Sequence, residues 1–234
     1  MSITGFDWNA IVLTASIWVL PVLFAITLHE AAHGWVAWHL GDDTARVLGR
    51  ISINPLRHID PVGTVLIPAV LLFGSGGRMM FGFAKPVPVD FSRLRKPRRD
   101  MVLVAAAGPG SNILLAVISA LLIHVSVLFD ADIERWIMHN LVNSVWINLL
   151  LAVFNMLPLP PLDGGRIAVG LLPPKLARQL VRIERAGMII ILTALFLLPW
   201  ISGKIGFDLN IFQWLIGEPT AYLMGLVFSL TGVR

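Results

Sequence analysis

Cysteine is absent from the sequence, which excludes disulfides, thiolate-held zinc or iron–sulfur clusters, and thiol catalysis. Charge is scarce as well: 14% of residues are charged, against about 25% in soluble domains. With 56% hydrophobic residues and a mean hydropathy of +0.80, the composition is that of a membrane protein. Neither an internal repeat nor a low-complexity tract is present, and no soluble domain is expected. The opening stretch "MSITGFDWNA" lacks a basic n-region and a small-residue cleavage site, so no removable signal peptide is expected. The net charge of +4 is modest, and no nucleic-acid partner is expected.

What is present in quantity is apolar sequence. A spanning helix needs about 20 mostly apolar residues, and five stretches qualify, roughly 10–40, 101–128, 137–158, 186–202 and 211–230. A sixth apolar run, "PVGTVLIPAVLLF" (61–73), is short and contains Pro68. Basic residues gather in 46–58, 78–99 and 166–185, whereas "DADIERW" between the second and third stretches is largely acidic. Basic loops stay in the cytoplasm. All three basic stretches share that side only if 61–73 dips in and returns, so we expect it to be re-entrant, with the N-terminus outside. The cell (plasma or inner) membrane is the expected location.

Chemistry concentrates in "ITLHEAAHGWVAWH" (26–39). His29 and His33 are four apart, so on a helix their imidazoles share one face, a turn apart. That spacing suits two nitrogen ligands of a tetrahedral zinc, and the intervening Glu30 can take a proton from water at the metal. Ionisable groups inside a span cost roughly 2.5–3.5 kcal/mol each and are retained mainly for function. His39 falls where one soluble metalloprotease class keeps its third ligand. That pattern needs a glycine turn where Val36 stands. An uninterrupted helix rotates His39 about 240° away from His33, so it is not expected to bind.

Another ligand must then come from a different segment. "NMLPLPPLDGGR" (155–166) packs three prolines into four positions, which forbids a regular helix. Irregular backbone at membrane depth is tolerated only where protein or a water-filled cavity surrounds it. Taken alone, Asp163 in this stretch reads as a helix N-cap.

Together, HExxH on the first membrane helix and NxxPxPxLDGG some 120 residues later resemble the site-2 protease family of intramembrane zinc metalloproteases. The resemblance runs over about residues 20–170. It includes "GRISINPLRHIDPVGT" (49–64), "FGFAKPVPVD" (81–90) and "RRDMVLVAAAGPGSN" (98–112), which look like the compact bacterial or archaeal branch. It implies that His29, His33 and Asp163 bind one zinc ion per chain and that Glu30 is the general base, then the proton donor to the leaving amine. Asn155 would hold the scissile carbonyl or its oxyanion. Asn112 is a candidate substrate contact, with close packing of the core spans as the competing role.

Pro86 and Pro88 occupy alternate positions. If the segment is extended, their missing N–H groups lie on one edge, and the donors of Val87 and Val89 on the other. That edge can pair with an unwound substrate; a plain surface loop is the alternative, and the family's membrane-embedded β-element favours the strand.

The expectation is therefore an all-α polytopic membrane protein. It would have five to six transmembrane helices and a short re-entrant or membrane-associated β-element near 61–90. Residues 1–234 would form one metalloprotease domain, with accessory helices at about 186–230. Neither a PDZ nor a CBS pair fits an insert of about 20 residues, since domains need 50 or more. The expected partners are the lipid bilayer and a single-span membrane-protein substrate, cut within or near its transmembrane helix, with the site facing the cytoplasm. Two rivals remain. A transporter predicts repeats or matched broken helices, and a silent zinc-binding scaffold predicts loss of the base or a ligand.

Overall fold

The structure is a computed structural model that describes residues 8–67, 70, 82, 84–207 and 209–233. Its first element, α1 (Trp8–His39), runs for 32 residues and passes Pro21 without interruption. At 1.5 Å per residue this is about 48 Å, longer than the roughly 30 Å hydrocarbon core of a bilayer. The helix ends at Gly41, whose φ of +118° only glycine adopts without strain. A β-carbon there would also crowd the Arg93 carbonyl oxygen.

Next come α2 (Pro97–Ser126) and α3 (Ala131–Asn155). Pro97 opens α2, where its fixed φ suits the first turn, and the Asp100 carboxylate accepts the Lys96 N–H at 2.8 Å. Two short helices follow, α4 (Asp163–Leu171) and α5 (Pro174–Arg182). Beyond them lie α6 (Glu184–Lys204) and α7 (Glu218–Thr231), the latter continuing a π-wound turn over Gln213–Gly217.

Helix α2 is the centre of the bundle, packing against α1, α3 and α4. Its Ala116 and Ala120 are fully buried against Val145 and Leu149 of α3 and Val227 of α7. Small side chains allow this close approach, which is how helices associate where lipid supplies no hydrophobic drive. A second cluster joins Leu162 to Ile191, Leu195 and Ile216, fixing the proline-rich loop against α6. Outward positions such as Phe24, Trp35 and Leu114 are apolar and exposed, as a lipid-facing surface requires.

Among the described residues, four helices are long and apolar enough to cross a membrane: Val12–His39, Pro97–Ser126, Ala131–Asn155 and Glu184–Lys204. The stretch 211–230 is helical but is not one of these four. It carries Glu218 and Pro219 at its middle. Of the expected re-entrant run, Pro61–Leu66 forms a π-wound turn capped by Asp60, which accepts the Val62 and Gly63 N–H groups at 2.9 and 2.7 Å. Most of 68–81 lies outside the described residues.

The expected β-element is not found: the described residues contain no strand. The physical reason is visible in 84–90. Pro86 and Pro88 have no N–H, and side chains take the donors that remain on Val87 and Asp90. Glu30 accepts from Val87 at 2.7 Å, and Asp42 from Asp90 at 2.7 Å. Among the described residues, the Lys85 N–H pairs with backbone, at His58 O, and the Val89 N–H has no partner. The segment is therefore a strap tied across the end of α1. The Ser92 hydroxyl and N–H bond to Asp90 and hold its carboxyl below the usual carboxylate range.

Candidate metal centre and cavity

On α1 the four-residue spacing brings the two imidazoles together, with ring centroids 4.7 Å apart. Each ring is fixed from behind. His29 Nδ1 lies 2.6 Å from Asn112 Oδ1, and His33 Nδ1 lies 2.7 Å from the Val104 carbonyl oxygen. Both partners are acceptors, so both Nδ1 atoms carry a proton, and in the neutral rings both Nε2 atoms keep their lone pairs. The Asn112 amide is itself oriented, because its Nδ2 donates to Ala25 O at 3.1 Å and to Asn148 Oδ1 at 2.8 Å. Asn148 in turn donates to Ser144 O at 2.9 Å. A buried polar chain thus runs from α1 through α2 to α3, with Asn112 and Asn148 at 0% and 1% exposure.

The third group arrives from α4. Gly164 and Gly165 lie where β-carbons would collide with the backbone of Met156–Pro160. Their absence lets the helix start tight against the proline-rich loop and drives Asp163 inward. Its Oδ2 stands 3.2 Å from His29 Nε2 and 3.3 Å from His33 Nε2, and the two Nε2 atoms are 3.1 Å apart. Asp163 Oδ2 is buried and has no well-aligned hydrogen-bond donor.

Three buried or half-buried donors with unshared electron pairs converging on one point are the arrangement of a metal site, and the separations match it. Ligands of a tetrahedral zinc at 2.0–2.1 Å stand about 3.3 Å apart. Space is provided from the opposite helix. A β-carbon on Gly108 of α2 would stand 2.6 Å from His29 Nε2 and closer still to His33 Nε2, in the room a bound ion needs. The residues present therefore fit zinc. Among the described residues, His29, His33 and Asp163 are the one such cluster found.

Beside it lies a cavity of about 170 Å³, lined by these three together with Glu30, Asn155, Pro86, Val87 and Val89, among others. The structure thus brings to one place every candidate named from the sequence except Asn112, which sits behind His29 rather than in the cavity. Asn155 donates one amide N–H to Leu151 O at 3.0 Å and keeps its second. Val87 is placed in the cavity, but its N–H is engaged by Glu30 and so is not a free donor for a substrate strand. Gly34 makes this approach possible, since a β-carbon there would meet Val87 Cγ1 at 3.0 Å. His39 is turned away, bonding its own helix at Trp35 O and lying against the rings of Trp35 and Trp38.

Sequence reasoning missed Gly108, Val104 and Asn148. The signal available for Asn148 was a polar residue in the apolar stretch "VWINLLLAVF"; nothing in the chain marked Val104. Supporting groups behind metal-ligating histidines typically contribute 10–100-fold in metal affinity. Asn112→Leu is accordingly expected to weaken zinc binding about 10–100-fold, measured by competition against a chromophoric chelator.

Comparison with known proteins agrees with this geometry. The sequence model of peptidase family M50 matches residues 122–199, which include the proline-rich loop and Asp163. YwhC of Bacillus subtilis (strain 168), whose name describes a zinc metalloprotease, is 41% identical over 191 residues, covering 77% of this chain and 80% of its own. Rip2 of Mycobacterium tuberculosis (strain H37Rv), named likewise, is 32% identical over 181 residues, covering 77% of this chain and 66% of its own. Rip2 of Mycolicibacterium smegmatis is 28% identical over 173 residues, with 74% and 64% covered. No solved structure matches. The chain belongs to peptidase family M50, the site-2 proteases, and is a metalloprotease with membrane-spanning helices.

Proposed function

We propose that the protein is a zinc-dependent intramembrane endopeptidase that cuts a single-span membrane protein within or near its transmembrane helix, from the cytoplasmic side. The observation that carries this reading is the convergence of two imidazole nitrogens and a buried carboxylate oxygen beside Glu30, in a cavity framed by membrane helices. His29, His33 and Asp163 would hold the metal. When bound, zinc supplies Lewis acidity, which polarises a carbonyl and acidifies a water.

The remaining steps belong to the chain's own side chains. Glu30 lines the cavity one residue from His29 and takes the proton of the attacking water, then delivers it to the leaving amine. Its Oε2 is held by Val87 N–H, leaving Oε1 for that transfer. Asn155 offers its remaining amide N–H to the oxyanion, a contact of a kind worth about 2.7–4 kcal/mol. The half-buried surroundings, with Leu162, Phe91 and Met188 on the walls, exclude bulk water and strengthen these interactions. The cytoplasmic orientation is supported by the basic residues of 46–58, 78–99 and 166–185, which flank both metal-binding segments.

The test is metal-dependent cleavage of a defined substrate. Detergent-purified protein should cleave a single-span test substrate, lose that activity with its zinc on chelation, and regain it on zinc addition. Asp163→Ala should bind zinc measurably less well while the helical content stays that of the parent. Cleavage that survives complete zinc removal would refute the assignment.

A further inference from the structure

Arg166 lies in a basic stretch that the sequence explains as an orientation signal. Its side chain is placed otherwise: it lines the cavity that holds His29, Glu30, His33 and Asp163. The reason is local. Asp163 and Arg166 are three apart on α4 and so share a helix face. The guanidinium carbon lies 5.1 Å from the centre of the Phe91 ring, a distance at which a cation rests on a ring face. Stacking there leaves N–H edges free. Arg166 makes no ion pair and no side-chain hydrogen bond among the described residues, although two carboxylates, Glu30 and Asp163, line the same cavity. Arg93 and Arg135, by contrast, both have acidic partners.

We propose that Arg166 is a specificity-determining residue that binds a carboxylate of the substrate close to the scissile bond. The proposal rests on the proteolytic reading above and names a chemical preference within it. The argument is electrostatic. While the cavity is open, water solvates the guanidinium. A peptide that fills the cavity removes that water, and an unpaired charge among Phe91, Val89, Leu162 and Met188 is then strongly disfavoured. A substrate carbonyl would accept a hydrogen bond but leave the charge uncompensated. A carboxylate neutralises it and matches the planar fork with two parallel bonds. An acidic side chain and the free C-terminus of a trimmed chain offer the same group.

The experiment uses the full zinc-loaded chain in detergent. Single-span test substrates carry Glu, Gln or Lys at successive positions around the cut mapped by mass spectrometry. A parallel pair ends just past the cut as a free acid or an amide. Wild type should favour a carboxylate over its uncharged isostere by about 10–100-fold in kcat/KM at one position. The Glu/Gln pair showing it identifies a side chain, and the acid/amide pair a chain terminus. Arg166→Met should bring that ratio close to one, Arg166→Lys should keep part of it, and Arg166→Glu should favour the Lys substrate. Each ratio is internal to one variant, so a general loss of activity does not mimic it, and zinc content is measured alongside. Equal cleavage of all substrates by wild type, or a preference that persists in Arg166→Met, would overturn the assignment of Arg166 and leave the protease reading intact. Failure of wild type to cut any substrate in a zinc-dependent way would instead overturn both.

Discussion

Replacing Glu30 with glutamine should leave zinc in place and lower the rate of cleavage by about 10²–10⁴-fold, the usual contribution of a positioned general base. The substitution separates chemistry from structure unusually well at this position. Glu30 Oε2 accepts the Val87 N–H at 2.7 Å, and a glutamine oxygen can accept the same bond, so the strap stays tied. The amide is the same size as the carboxylate and cannot take a proton from water. Zinc stoichiometry from elemental analysis should match wild type, because His29, His33 and Asp163 are untouched. Turnover of the single-span substrate is the second measurement. A Glu30→Gln enzyme with wild-type turnover would remove Glu30 from the mechanism.

The second large effect is expected at a residue with no side chain at all. Gly108→Ala should abolish zinc binding, and activity with it. Within a helix, alanine is intrinsically favoured over glycine by about 1 kcal/mol, so local propensity alone predicts that α2 is strengthened. The tertiary setting reverses this. The added methyl would stand 2.6 Å from His29 Nε2 and closer to His33 Nε2, forcing the imidazoles apart and filling the room between their lone pairs. Overpacking of this kind costs about 1–3 kcal/mol, but loss of the metal matters more than the strain. Gly110 is the control, because a β-carbon there meets nothing within 4 Å. Gly110→Ala should retain zinc and turnover. Isothermal titration of zinc into the metal-free proteins checks both variants, and tight binding by Gly108→Ala would show that the helices yield more easily than the packing implies.

Several features were legible without coordinates because they depend on local periodicity. Four spans follow from the lengths of apolar runs. The pairing of His29 with His33 follows from the helical repeat, and so does the exclusion of His39, since no glycine at position 36 allows a turn. The fifth stretch was expected from its apolar length, and the β-element near 61–90 from alternating prolines and the family resemblance; neither a fifth span nor a strand is found among the described residues. A run broken by Glu218 and Pro219 is helical without joining the four apolar spans, and an alternation of prolines describes which donors are missing, not which partners take the rest.

Composition and spacing alone pointed to the membrane setting, to one helix carrying His29, Glu30 and His33, and to the absence of any thiol alternative. Each of these rests on composition or on spacing within one segment. The folded chain adds that Asp163 Oδ2 stands within 3.3 Å of both Nε2 atoms, that Asn112 and Asn148 line up behind His29, and that Val87 ties down Glu30. It alone revealed the room Gly108 leaves beside the two Nε2 atoms and Arg166 as a wall of the cavity. Most of these relations join residues more than 50 positions apart, and their energies come from lone-pair directions and excluded volume across helices. Nothing in the order of residues along one segment encodes such a direction until the bundle has closed.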